Sequence, residues 1–231
     1  MSTTDHAPAI GDIVTANPGA ARVFERHGID FCCGGRRLLA DACSAAGLDV
    51  GAVLAELDGG PVYSAEGWAR LEPTALVDHI VTTHHAYLHE ELPLLDALAE
   101  KVLGAHRRRH PELADVRRVV GEIKADLEPH LMKEERVLFP AISAVAAEGG
   151  TELPFGSIAN PIRMMMLEHD RAGELLAELR RVTDGYRVPD DGCASYRSLY
   201  ERLALLEEDI HLHVHKENNV LFPALLRLAD A

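Results

Sequence analysis

At 231 residues the chain has room for one large domain, or for a small domain joined to a medium one, and either can bury a core. Its 47% hydrophobic and 26% charged residues match an ordinary folded protein rather than a disordered one, and five Phe, five Tyr and one Trp leave a mostly aliphatic core. A formal charge of −14 excludes the Lys- and Arg-driven binding of nucleic acid or anionic membranes, while 13 histidines outnumber Phe and Tyr together.

No run of about 18 apolar residues is present to cross a bilayer. The opening residues, Met1 to Ile13, lack a basic segment followed by an apolar one, so no secretion signal is expected. The chain therefore reads as cytoplasmic, with its four Cys reduced.

In chain order, residues 1–60 read as a small helical unit. Asn17-Pro18 starts a helix that Gly28 stops, a second runs from Arg36 to Ala46 before Gly47, and a third from Asp49 to Leu57. The Gly- and Pro-bearing residues 61–73 read as a linker. Four long amphipathic segments then fill residues 74–231, near 74–105, 112–146, 160–184 and 196–228, with stops at Gly149-Gly150 and Gly185. Asn160-Pro161 repeats the start signal, and Pro93 and Pro129 predict kinks or local breaks. Arg107-Arg108-Arg109 reads as a solvated helix end. The fold class is all-α, a four-helix bundle preceded by a small helical domain.

The bundle carries an internal repeat. His130-Leu-Met-Lys-Glu134-Glu-Arg-Val-Leu-Phe-Pro140 matches His213-Val-His-Lys-Glu217-Asn-Asn-Val-Leu-Phe-Pro223 in the pattern H-x-x-K-E-x-x-V-L-F-P. A His and a Glu four apart share one face of a helix, which is ligand spacing. Val120, Ile123 and Leu127 step onto His130, with Glu134, Val137 and Ala141 continuing the stripe; Leu203, Leu206 and Ile210 lead likewise to His213, Glu217, Val220 and Ala224. A buried carboxylate must be paired or bound to metal, and neither stripe carries an Arg or Lys.

Each repeat follows a helix with a further histidine. His169 continues Ile162 and Met165 and precedes His213 by 44 residues; His85 continues Val81 toward Leu88 and precedes His130 by 45. The adjacent His84 competes with His85. His106, at the end of the same helix, offers a fifth imidazole, and His211 and His215 share a face with Glu208 and Asn218 that reads as solvent. Asp126 and Glu168 are candidates to orient ligands. His79, His89 and His110 read as structural or surface residues.

Five terminal imidazoles and two bridging carboxylates fill nine of the twelve positions of two octahedral ions. An oxo or hydroxo bridge takes two more and leaves one open. That suits two iron ions binding a small diatomic molecule, and suits zinc, with its roughly four ligands, poorly.

The bundle resembles the hemerythrin-like cation-binding domains. Asp30-Phe-Cys-Cys-Gly-Gly35, after Gly11-Asp-Ile-Val and Ala21-Arg-Val-Phe, is similar to the small domain that precedes the bundle in the Repair of Iron Centres family. The resemblance covers nearly the whole chain and places the family's di-iron ligands on His85, His106, His130, Glu134, His169, His213 and Glu217. It implies repair of iron–sulfur clusters damaged by oxidative or nitrosative stress, through iron donation, with damaged iron–sulfur proteins as partners. The alternatives are a sensor or carrier of oxygen or nitric oxide, and a nitric oxide reductase. No nucleic acid or membrane partner is expected, and a homodimer is an expectation that no residue pattern carries.

Cys32 and Cys33 are neighbours, about 3.8 Å apart at Cα, which is short for a structural disulfide. Gly34 and Gly35 leave the thiols accessible, and Arg36, Arg37 and the helix N-terminus beyond are expected to lower their pKa and give them a redox or soft-metal role. The alternative is two small residues packed under a Gly-Gly turn. Cys43 and Cys193 read as packing residues.

Overall fold

The computed structural model describes residues 8–59, 67–148, 153 and 156–229. Residues 61–66 of the expected linker and the expected stop at Gly149-Gly150 lie outside the described residues. Among those described no strand occurs, only helices, turns and isolated bridges such as Ala9 with Leu38. The chain forms two compact units, one of Met1–His79, Ile142–Glu152 and His211–Ala231, the other of Ile80–Ala141 and Leu153–Ile210.

The first unit begins with α1 (Ile10–Ala16), α2 (Ala20–Arg26), α3 (Leu39–Ala46) and α4 (Val50–Gly59). Sequence reading missed α1, a seven-residue helix too short to show periodicity. Asn17 Oδ1 accepts from the Gly19 N–H at 3.1 Å, so α2 starts two residues after the Pro18 expected to open it. α3 ends on Gly47, whose left-handed φ of +70° only glycine adopts cheaply. Ile10, Val14, Phe24, Phe31, Leu39 and Trp68 are buried and form the aliphatic and aromatic core of this unit, each contributing about 1.5–3 kcal/mol of transfer free energy as an upper estimate.

The long segments follow as α5 (Pro73–Ile80) and α6 (Ala86–His106), α7 (Leu113–Lys133) and α8 (Phe139–Glu148), α9 (Ala159–Val182), and α10 (Ala194–His215) and α11 (Phe222–Ala229). Wider π-helical turns join three of these pairs, at Val81–His85, Glu134–Leu138 and Lys216–Leu221. α6 and α7 pack together, as do α7 and α9. Arg202 grips Glu91 through two bonds of 2.6 and 2.8 Å between α10 and α6, and Arg180 grips Glu207 at 3.1 and 2.6 Å between α9 and α10. Such bidentate pairs fix helix orientation more than they add stability.

The helices run unbroken through Pro93 and Pro129, against expectation. The irregular turns come instead before Pro140 and Pro223. A helical proline lacks an N–H and crowds the carbonyl four residues back, here Arg136 and Asn219, both inside π-helical turns. The extra residue in each turn displaces the apolar stripe by one. Leu138 and Leu221 are fully buried, whereas Val137, expected inside, is half exposed.

Candidate metal centre

In the second unit, His85 from the first π-helical turn, His130 from α7, Glu134 from the next π-helical turn and His169 from α9 come together, all buried. Glu134 is fully enclosed. One of its oxygens, Oε2, lies 3.4 Å from His85 Nε2, and the other, Oε1, lies 3.4 Å from His130 Nε2. His169 Nε2 lies 3.2 Å from His130 Nε2, and ligand atoms of His130, Glu134 and His169 all fall within 4.8 Å of one another. A single carboxylate therefore offers one oxygen to each of two imidazoles.

The outer ring nitrogens decide which atoms face inward. His130 Nδ1 donates to Glu168 at 2.8 Å, which leaves the Nε2 lone pair toward Glu134. The bond to His130, supported by Lys133, holds the Glu168 carboxyl down to about 2. His85 Nδ1 donates to Glu135 at 2.9 Å while the His85 ring stacks on Phe139. Burial works to raise Glu135, but its hydrogen bonds to His89 and His85 outweigh it and leave its pKa below the usual carboxylate value. The inward atoms are thus imidazole lone pairs and carboxylate oxygens, which repel one another in a dry site and are together satisfied by a cation. Glu135 has no counterpart in the sequence reading, because it is one residue off the face of Glu134. Its signal was the position of a second carboxylate beside the ligand motif.

His84 Nδ1 donates to Asp209 at 2.8 Å, and it is His85 that faces Glu134. Asp126 orients nothing at the cluster. It is half exposed and pairs with Arg171 at 3.6 Å.

His106 does not join the cluster and is a correction. It stands 21 residues beyond His85 on one helix, about 30 Å along the axis at 1.5 Å per residue. Its Nε2 instead meets Cys193 Sγ at 3.1 Å. Cys193, expected to be a packing residue, is exposed.

The first unit holds the second motif. His213 Nε2 and Glu217 Oε1 are 3.2 Å apart, and both residues are buried. His211 and His215 correct the solvent-face expectation, because the N-terminal elements of this unit cover that face. His211 binds Glu25 at 3.2 Å, and His215 is fully buried between Phe31 and Trp68, at centroid distances of 5.7 and 5.9 Å. The Asn219 amide nitrogen lies 3.2 Å from His215 Nδ1, and Thr15 Oγ1 lies 3.1 Å from Nε2. Burial pushes the His215 pKa down to about 4.

The same turn seats the cysteine loop. The Asn219 amide donates to the Cys32 carbonyl at 2.9 Å and to the Phe31 carbonyl at 3.4 Å, two residues after Glu217. Asp30 accepts the backbone N–H groups of Cys32, Cys33 and Gly34 at 3.1, 2.9 and 3.0 Å. The two sulfurs are 3.8 Å apart and not bonded. Against expectation the Cys32 thiol is pushed up, by its hydrogen bond to Cys33, by burial and by the Asp30 carboxylate. Arg36 and Arg37 are exposed beyond it.

A helical bundle with converging buried His and Glu donors defines a cation-binding protein of the hemerythrin type. Residues 76–225 match the hemerythrin HHE cation-binding domain, and residues 7–59 match the ScdA N-terminal domain, a domain of unknown function. The chain is 36% identical over 222 residues to the iron-sulfur cluster repair protein YtfE of Musicola paradisiaca, covering 95% of this chain and 96% of that one. It is 34% identical over 221 residues to a probable iron-sulfur cluster repair protein of Haemophilus influenzae, covering 94% and 96%, and 33% identical to YtfE of Yersinia pseudotuberculosis. The chain belongs to the Repair of Iron Centres family, in which these two domains are joined.

Proposed function

We propose that the chain restores iron–sulfur clusters damaged by oxidative or nitrosative stress, carrying two iron ions on His85, His130, Glu134, His169, His213 and Glu217 and delivering iron to the damaged protein. The observation that carries this reading is the Glu134 carboxylate, with one oxygen toward His85 and the other toward His130, the disposition of a bridge between two ions. Glu217 takes the same role in the repeated motif. The printed names of the relatives agree with it.

The four imidazoles and two carboxylates would hold the iron, and their number would leave room for a further small ligand. Bound iron would supply the cargo and a place for a small ligand such as oxygen or nitric oxide. The protein's own contribution is to hold Nε2 of His85 and His130 inward through Glu135 and Glu168, and to keep water from the buried donors. Because the ligands are mostly neutral imidazoles, protonating them favours release, so iron retention falls as pH falls. In this reading residues 1–60 form the Cys-Cys domain, 61–73 the linker and 74–231 the iron-carrying bundle, with Cys32 and Cys33 as its redox element.

The iron-loaded protein is incubated with an iron–sulfur dehydratase previously damaged by nitric oxide, and dehydratase activity and iron transfer are followed. Recovery of activity is expected, with less recovery from a Cys32→Ser/Cys33→Ser variant. No transfer and no recovery would remove the repair reading, and nitrous oxide in the headspace would replace it with a reductase.

A further inference from the structure

Two residues set aside by the metal centre meet each other at the other end of α6. Cys193 caps α10: its carbonyl accepts the Arg197 N–H at 3.0 Å, which sets the residue at the N-terminus of a 22-residue helix. From α6, His106 brings Nε2 to 3.1 Å from the sulfur. The imidazole is held by ring edges, with the Tyr196 centroid 5.4 Å away and that of His110 at 6.1 Å. The thiol is exposed and open to a small molecule.

A nucleophile at a helix N-terminus and a base from a second helix make up an activated thiol site. We propose that Cys193 and His106 form a thiolate–imidazolium pair that reacts with hydrogen peroxide, making Cys193 the first residue of the chain to be oxidised to a sulfenic acid. This does not rest on the iron-repair reading.

The Cys193 thiolate attacks one peroxide oxygen, and an S–O bond forms as the O–O bond breaks. The departing hydroxide takes the proton from His106 Nε2 and leaves as water. The sulfur gives up two electrons and the peroxide accepts them. His106 is a catalytic residue here, since it touches the reacting atoms and supplies the proton that the leaving oxygen needs.

The charges around the pair agree. Asp191 and Glu112 are engaged by His110 at 2.9 and 3.0 Å, and Asp191 also by Arg109 at 3.5 Å. The N–H of Tyr196, and then His106, bring the Cys193 pKa down to about 7. The other environments work the opposite way. Cys32 is raised beside Cys33 and Asp30, and Cys43 is fully buried and raised by that burial.

The full-length protein is exposed to substoichiometric hydrogen peroxide at pH 7, sulfenic acid is trapped with a cyclic dione, and each cysteine peptide is quantified by mass spectrometry. Cys193 is expected to be trapped first, and His106→Gln to slow its trapping about fivefold or more with no change at Cys33. Alkylation by iodoacetamide, which needs a thiolate and no oxidant, is expected to show the same order and the same slowing. Trapping or alkylation of Cys193 no faster than Cys33, or rates unchanged in His106→Gln, would overturn the proposal.

Discussion

His130 donates its Nδ1–H to Glu168 across 2.8 Å, and the same ring presents Nε2 to Glu134 at 3.4 Å. One hydrogen bond outside the cluster thereby sets the tautomer of a donor inside it. Glu135 does the same for His85.

Removing that outer support weakens the centre without touching a donor. Glu168→Ala is expected to lower iron affinity about 10- to 100-fold, measured by competition with a chromogenic chelator. An affinity equal to the parent's would show that Glu168 is only a partner for Lys133.

The cysteine loop is seated by close approach, and glycine makes that approach possible. A methyl group on Gly35 would stand 2.7 Å from the Phe31 carbonyl and would overlap the Asn219 amide. Gly35→Ala is therefore expected to destabilise the protein by about 1–3 kcal/mol in a urea titration. Gly59→Ala, where a methyl group meets open space, is the control and is expected to be neutral or mildly stabilising. Equal midpoints for the two variants would contradict the packing described.

Burial gives His215 a pH signature. Its folded pKa of about 4 lies below the ordinary 6.5, so between those values the unfolded chain binds the extra proton. Stability from this group is complete above pH 6.5, falls as pH drops toward 4, and amounts to about 3 kcal/mol across that window. Urea midpoints of the parent should decline from pH 6.5 to pH 4 more steeply than those of His215→Gln. Parallel declines would assign the acid sensitivity to other groups.

What could be read in advance followed helical periodicity. The step from Val81 to His85 to Leu88 separates His85 from His84, and the repeated H-x-x-x-E locates both Glu134 and Glu217 on apolar stripes. His106 was misplaced because ligand counting ignored the rise of a continuous helix, which alone puts it a bundle's length from His85. His215 was misjudged for a different reason. Glu208 and Asn218 make its face look solvated, and only folding brings Phe31 and Thr15 over it. Val137 fails by one residue because the turn before Pro140 is wider than an α-helix, a shift that strict 3.6-residue spacing does not contain.

In the proposed function Glu134 and Glu217 each help to hold iron. Elemental analysis of the purified parent, Glu134→Ala and Glu217→Ala, each checked for folding by circular dichroism, tests it directly. About two irons per chain are expected in the parent, with loss of iron from each folded variant. Full iron retention in either folded variant would contradict the claim.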